Sequence, residues 1–304
     1  VVLRRDIHGI PIEEYAAAIR DRLPDHEVRL ARTPREEREY VRDAPIVTGL
    51  SPDGLLDEAD QLELFHCLYA GTEHLPLDEL AERGVAVTSA AGVHGPNIAE
   101  WVIGMLLTFA RRLHIGYRRS ERREWRHFQA DEVYGSTVTV VGLGNIGTAI
   151  VERLQGFGVD TIGVRYTPSK GGPTDEVVGF EDDAFHEALA RTDYLVIACP
   201  LTDTTDGLID AAAFETLPPT ATLINIARGP IVETAALVDE LRAGGIHGAA
   251  LDVTDPEPLP EDHPLWTFGN VIVTPHNSGY TPAYYERTAD SLAENVERRA
   301  RTGL

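Results

Sequence analysis

A run β-branched almost throughout, Ser136-Thr137-Val138-Thr139-Val140-Val141, passes straight into Gly142-Leu143-Gly144-Asn145-Ile146-Gly147. A run of this kind is predicted to be a strand buried on both faces. A strand that ends on G-x-G-x-x-G and leads into helical spacing opens a βαβ unit. Each glycine answers a separate spatial demand. Gly142 makes the tight turn, Gly144 lets the backbone approach a pyrophosphate, and Gly147 lets the helix pack on the strand. The helix start then turns the Asn145 and Ile146 amides toward the phosphate charge. The segment therefore predicts a dinucleotide-binding domain built on a parallel sheet.

Further strands are predicted on both sides of it. Before it lie 44–49, 62–69 and 85–88; after it lie 161–164, 194–198, 222–226, 248–252 and 271–274. Helical spacing falls between them at 12–23, 98–113, 146–156, 183–190 and 234–243, with 117–126 extending the 98–113 helix or starting another, and a last helix at 282–301. Strands separated by helices imply parallel sheets covered on both faces, an α/β class. Two βαβ series fit two tandem domains, or one domain inserted into another that the final helix crosses back to complete. The longest apolar run, 101–110, is far short of a membrane span.

Charge narrows the partners. The chain has 27 Lys+Arg against 49 Asp+Glu, a formal net charge of −22, and Lys170 is the only lysine. The acid is spread, with 10 basic and 19 acidic residues over 1–94 and 17 and 30 over 95–304. Such a surface repels nucleic acid and anionic lipid, so neither is expected as a partner. Acid everywhere with lysine nearly eliminated fits a protein kept soluble in molar salt, and a salt-adapted, halophilic host is expected. Cys67 and Cys199 lie far apart without a C-x-x-C, which argues against a disulfide scaffold or a thiolate metal site, and no metal is expected. No signal peptide is read at the N-terminus, so a cytoplasmic location is expected.

A dinucleotide site usually carries Asp or Glu about 20 residues past the glycines, on the ribose 2′-hydroxyl. Here that place holds Arg165, followed by Tyr166, Thr167, Ser169 and Lys170. A guanidinium there suits a 2′-phosphate, with Thr167, Ser169 and Lys170 as further donors. NADP is the expected cofactor and NAD a weaker substitute.

Polar residues also stand at the ends of later strands, where open α/β sheets bind ligands: Asn225-Ile226-Ala227-Arg228-Gly229, Asp252 through Pro258, and Thr274-Pro275-His276-Asn277-Ser278-Gly279. Hydride transfer to a carbonyl leaves an alkoxide that needs a proton. A histidine held by a carboxylate supplies it, and Glu257 with His276 is such a pair. An arginine such as Arg228 would grip a substrate carboxylate and polarise the carbonyl.

With these segments in order, and with Pro200-Leu201-Thr202-Asp203-Thr204-Thr205 and His263-Pro264-Leu265-Trp266 between them, the chain resembles the D-isomer-specific 2-hydroxyacid dehydrogenases over about residues 60–282. The resemblance implies Arg228, Glu257 and His276 as the catalytic trio, and Tyr69-Ala70-Gly71 as a turn whose amides meet the substrate carboxylate. For the cofactor it implies contacts with Cys199, Pro200, Thr205, Ala227, Asp252 and Gly279, beside those of the glycine loop and of Arg165, Tyr166 and Thr167. It implies a flavodoxin-like substrate domain, 1–94 with 281–304, and a Rossmann cofactor domain, 95–280, with hinges near 93–97 and 280–283. His94, Asn97 and Glu100 match the family's hinge segment loosely.

The chain also departs from the family. Cys199 stands where His is common, Arg165 replaces Asp, and Tyr69-Ala70-Gly71-Thr72-Glu73 differs from the usual Gly-x-Gly-x-Asp, which leaves substrate choice open. Residues 111–126 hold seven Arg and two Glu, a positive arm in an acidic chain; a homodimer contact is expected there, with a lure for an anionic 2-oxo acid as the other reading. The expected activity is reversible reduction of a 2-oxo acid to the D-2-hydroxy acid. The competing reading is a dinucleotide-sensing, corepressor-type binding protein on the same fold, and turnover with a panel of 2-oxo acids separates the two.

Overall fold

The structure is a computed structural model that describes residues 1–3, 6–7, 9–72 and 74–302, the side chains of Asp182 and Thr302 excepted. Glu73 of the turn quoted above lies outside the described residues. The chain divides into two compact units, Val1–His94 with Tyr280–Leu304, and Gly95–Gly279.

In the first unit three parallel strands, β1 (Ile46–Gly49), β2 (Leu64–Cys67) and β3 (Ala86–Ser89), lie side by side in that order. Val2 bridges in parallel to both Leu30 and Thr48, so the chain start runs between the Leu30 segment and β1. The resulting order, 2-1-3-4-5, is that of flavodoxin-like sheets. Side chains alternate along β2 as a pleat requires. Leu64, with Leu68 just beyond the strand, packs with Tyr15, Ala16 and Ile19 of α1 (Ile12–Arg22); Phe65 and Cys67 pack with Val41, Leu56 and Leu80 on the other face. Glu13 and Glu14 in the first turn of α1, and Arg20 and Arg22 in its last, complement the helix dipole. α2 (Pro34–Tyr40), capped by the Thr33 hydroxyl, buries no residue, and the second face carries α3 (Leu77–Glu82) through Leu80. The final helix of the chain, Tyr284–Thr302, is fixed into this unit: Tyr284 donates its hydroxyl to Leu68 O, and Tyr285 accepts from Ile7 N at 2.9 Å.

The second unit is a seven-stranded parallel sheet of β4 (Thr137–Val141), β5 (Asp160–Val164), β6 (Glu176–Val178), β7 (Tyr194–Ile197), β8 (Thr222–Asn225), β9 (Gly248–Leu251) and β10 (Val271–Val273). Their order is β10-β9-β8-β7-β4-β5-β6. Counted from the unit's own first strand this is the 3-2-1-4-5-6 Rossmann order with one strand added. Val138 and Val140 face α4 (Gly95–Ala110) and α6 (Asn145–Leu154), while Val141, Leu195, Ile197 and Leu223 face α7 (Asp182–Leu189), α8 (Ala211–Thr216) and α9 (Thr234–Ala243). The chain leaves β4 toward β5 on one side and β7 toward β8 on the other, so the strand order reverses at the carboxyl ends of β4 and β7. A crevice at such a switch point is where this architecture binds ligands.

Several expectations need adjustment. The 98–113 helix breaks early, because Arg112 turns left-handed (φ 51°) and separates α4 from α5 (Leu113–Glu121). The helix expected to 126 stops at Glu121. β6 is not among the expected strands, being a three-residue edge strand that starts on Glu176. Among the described residues no helix is long and apolar enough to cross a membrane. The returning helix is labelled α10 hereafter.

Candidate active site

Within the second unit the glycine loop meets its spatial demands. Gly142 sits at φ 101° with no room for a side chain: a Cβ would lie 2.7 Å from Ala198 O and from the Cys199 backbone. A Cβ on Gly147 would lie 1.9 Å from Gly142 O, so helix and strand are in contact there. Gly144 is different, since nothing lies within 4 Å of where its Cβ would be. The open space is on the ligand side, at an N-terminus of α6 that no side chain caps and whose first turn holds no carboxylate. A bare helix start beside an unfilled cradle fits a pyrophosphate, with Asn145 and Ile146 heading the helix.

Beside the loop is a concavity of about 510 Å³ that brings Gly142 and Gly144 together with Arg165, Tyr166, Thr167, Cys199, Pro200 and Thr205. Thr205 is buried and spends its hydroxyl on Pro200 O (2.7 Å) and Thr202 N (2.8 Å), so it shapes the 200–205 loop. Burial pushes the Cys199 thiol up to about 11, so this cysteine is a neutral wall of the concavity.

The second cluster lies at the ends of β8, β9 and β10. His276 Nδ1 is 2.7 Å from Glu257 Oε1. A carboxylate only accepts, so Nδ1 carries the proton toward Glu257 and Nε2 is left for other chemistry. His276 is one of three described non-glycine residues with positive φ, at 51°. Asp252 is what holds it there. This carboxylate is 1% exposed and accepts from Thr274 Oγ1 (2.6 Å), Asn277 N (3.0 Å) and Ser278 N (3.0 Å), while Asp252 O accepts from His276 N at 2.8 Å. Asp252, expected at the cofactor, thus spends its carboxylate on the loop that carries His276. Gly279 closes that loop and lines neither concavity.

Arg228 is exposed, and its loop is fixed from behind: Asn225 Oδ1 accepts from Ala227 N (3.0 Å) and Asn225 Nδ2 donates to Arg228 O (3.0 Å). A Cβ on the next residue, Gly229, would lie 2.1 Å from Thr254 O, so the Arg228 and Glu257 loops touch backbone to backbone. Among the described residues Arg228 makes no ion pair. A second concavity, about 540 Å³, opens beside Glu257 and His276 with Leu259, Trp266 and Pro275 in its wall. Asn225, Asp252 and Gly229 are structural supports that motifs alone do not reveal as supports.

In the first unit the turn after β2 exposes Tyr69 and Ala70. Among the described residues the Ala70 and Gly71 amides donate to no protein acceptor. Tyr69 N donates to Cys67 Sγ (3.3 Å), and Ser89 Oγ donates to Ala70 O (3.1 Å). Of the loosely matched hinge residues, Asn97 donates to Ser278 O (2.8 Å) and His94 stacks on Tyr284 at 5.2 Å.

The sequence profile described as D-isomer specific 2-hydroxyacid dehydrogenase, NAD binding domain, matches residues 103–278. The chain belongs to the D-isomer specific 2-hydroxyacid dehydrogenase family. It is 37% identical over 230 residues to the glyoxylate reductase/hydroxypyruvate reductase of Homo sapiens, covering 73% of this chain and 69% of that one. It is 31% identical to the D-3-phosphoglycerate dehydrogenase of Methanocaldococcus jannaschii over 95% of its own length but only 56% of that protein's. A D-isomer specific 2-hydroxyacid dehydrogenase from Xanthobacter autotrophicus Py2, solved with NADPH and MES, superposes with a TM-score of 0.79 at 30% identity, covering 99% of this chain and 94% of that one. This member of the family is thus an NAD(P)-dependent oxidoreductase.

Proposed function

We propose that this dehydrogenase reduces a 2-oxo acid to the D-2-hydroxy acid and runs the reverse reaction, with NADP(H) preferred over NAD(H). The observation that carries the reading is the His276–Glu257 pair on a loop that Asp252 locks. The bound dinucleotide supplies the hydride. His276 gives its Nε2 proton to the oxygen that hydride addition leaves negative, and takes it back in oxidation. Glu257 holds the ring in the tautomer that leaves Nε2 free for this, and stabilises the imidazolium. Arg228 binds the substrate carboxylate and polarises the carbonyl. Support for NADP(H) comes from the turn after β5, where Arg165, with Lys170 on the same wall, stands in place of the acidic residue that would take the ribose hydroxyl.

The test is a rate matrix of D- and L-2-hydroxy acids, and of glyoxylate, hydroxypyruvate, pyruvate and branched 2-oxo acids, each with both cofactors. Turnover of D-substrates only, with higher kcat/KM for NADP(H), supports the reading. Turnover of L-substrates or of neither antipode refutes the chemistry; faster reaction with NAD(H) refutes the cofactor preference.

The assembly proposed is a cytoplasmic homodimer that uses the 111–126 arm. Trp125 is 95% and Tyr117 71% exposed, between arginines, in a chain of net charge −22. Such a patch is complementary to the acidic surface of a second copy. Light scattering at several concentrations tests it: a monomer at micromolar protein refutes the contact.

A further inference from the structure

We infer that Lys170, the chain's single lysine, is the residue that discriminates the 2′-phosphate, while Arg165 works in good part by shaping the loop that presents it. The inference rests on the NADP(H) reading of this site. Among the described residues, the concavity beside the glycine loop has no Asp or Glu in its wall, in a chain with 49 acidic residues. Its charged residues are Arg165 and Lys170. The two are engaged differently. Arg165 is half-buried and donates from Nη1 to Gly171 O at 2.5 Å, so part of its guanidinium is committed to the backbone. That bond closes the turn Pro168–Lys170, in which Lys170 N donates to Thr167 O (3.1 Å) and Gly171 N to Pro168 O (2.8 Å). Gly171 takes φ 62°, which lets the chain reverse just after the lysine. Lys170 itself is exposed at the rim and, among the described residues, makes no ion pair.

An uncommitted ammonium on a tight turn, beside an arginine and away from any described carboxylate of the wall, is a point charge for a dianionic phosphate. The cofactor that lacks the phosphate has nothing for it to bind. The arginine, whose removal loosens the turn carrying Tyr166 and Thr167, serves both cofactors. The two residues therefore predict different signatures. Lys170→Met raises KM for NADPH by about tenfold or more with kcat kept, and shifts KM for NADH less than twofold. Lys170→Arg recovers most of the loss. Arg165→Ala raises KM for both cofactors, and for NADPH more.

The wild-type ratio of kcat/KM for NADPH over NADH is measured first: a ratio below one ends the NADP(H) reading. With a ratio above one, equal effects of Lys170→Met on the two cofactors, or no effect on NADPH, overturn the role of Lys170 alone. A second readout needs no variant. An amine-directed acetylating ester has one lysine to modify, and peptide mass spectrometry follows it. Protection of Lys170 by NADP⁺ but not by NAD⁺ at equal occupancy supports the inference, and equal protection by both overturns it.

Discussion

His276 and Glu257 stand 19 positions apart in the chain, yet their side chains meet at 2.7 Å, Nδ1 to Oε1. The meeting depends on two loops fixed independently, one by the buried Asp252 carboxylate and one by the close approach at Gly229. The imidazole is thus oriented before any ligand arrives, as general acid–base catalysis requires.

Replacing His276 by Ala is expected to lower kcat by about 10²- to 10⁴-fold, the range for losing a positioned acid–base group. Dinucleotide affinity is expected to stay within a few-fold, because the glycine loop is untouched. Stopped-flow turnover paired with a fluorescence titration of NADPH checks both halves. A kcat near wild type would remove His276 from the proton transfer. Glu257→Gln keeps a hydrogen-bond acceptor but not the charge, so it should lower kcat less than His276→Ala and leave KM for the cofactor in place.

Asp252→Asn probes the loop rather than the chemistry. An amide keeps one acceptor oxygen and turns an NH₂ toward a hydroxyl or an N–H that it cannot satisfy as the carboxylate does. Leaving a buried donor unpaired costs about 1–3 kcal/mol. A lower Tm together with a lower kcat is the expected outcome, and Asp252→Glu should not rescue it, since a longer acid cannot fit a residue 1% exposed. An Asn variant with wild-type kcat and Tm would show that the three hydrogen bonds at Asp252 carry nothing.

The sequence exposes the elements whose signal is local. The β4–glycine–α6 passage, the alternation of strands and helices, and the polar residues at strand ends are each legible within a few positions. The structure adds what distance hides. The donors to Asp252 lie 22 to 26 residues away, so its sequence neighbours cannot show that it folds the His276 loop. The contact that requires glycine at 229 is made by Thr254. Arg112 breaks a helix without Gly or Pro to announce it. Val2 forms single bridges rather than a ladder, too brief for a periodicity to register.

His66 makes a stability prediction with a definite sign. It is fully buried on β2, with Nδ1 2.8 Å from Thr88 Oγ1, and burial pulls its pKa from 6.5 to about 4. Between those values the unfolded chain binds a proton that the folded chain refuses. The stability is therefore complete above pH 6.5 and is lost as pH falls toward 4, by about 3 kcal/mol in full. Urea midpoints of wild type and His66→Gln, taken from pH 7.5 to 4.5, isolate this from the carboxylates. The wild type should lose more stability than the variant across that window; parallel curves would mean that His66 titrates normally.

The net charge of −22 makes the last prediction, and salt should act on it in two opposite ways. The acid is spread over the chain, so self-repulsion opposes the compact state at low ionic strength. At about 1 M salt the screening length falls to about 3 Å, and that repulsion is largely removed. Tm is therefore expected to rise from 0.1 M to 2 M KCl, with turnover at saturating substrate rising alongside. The same screening weakens the attraction of Arg165 and Lys170 for a phosphate, so KM for NADPH should rise with salt more steeply than KM for NADH. KCl and NaCl are the appropriate salts, because sulfate stabilises folded proteins in general by exclusion. A Tm that is flat or falling with KCl would refute salt adaptation, and equal salt slopes for the two cofactors would count against a phosphate contact at the β5 end.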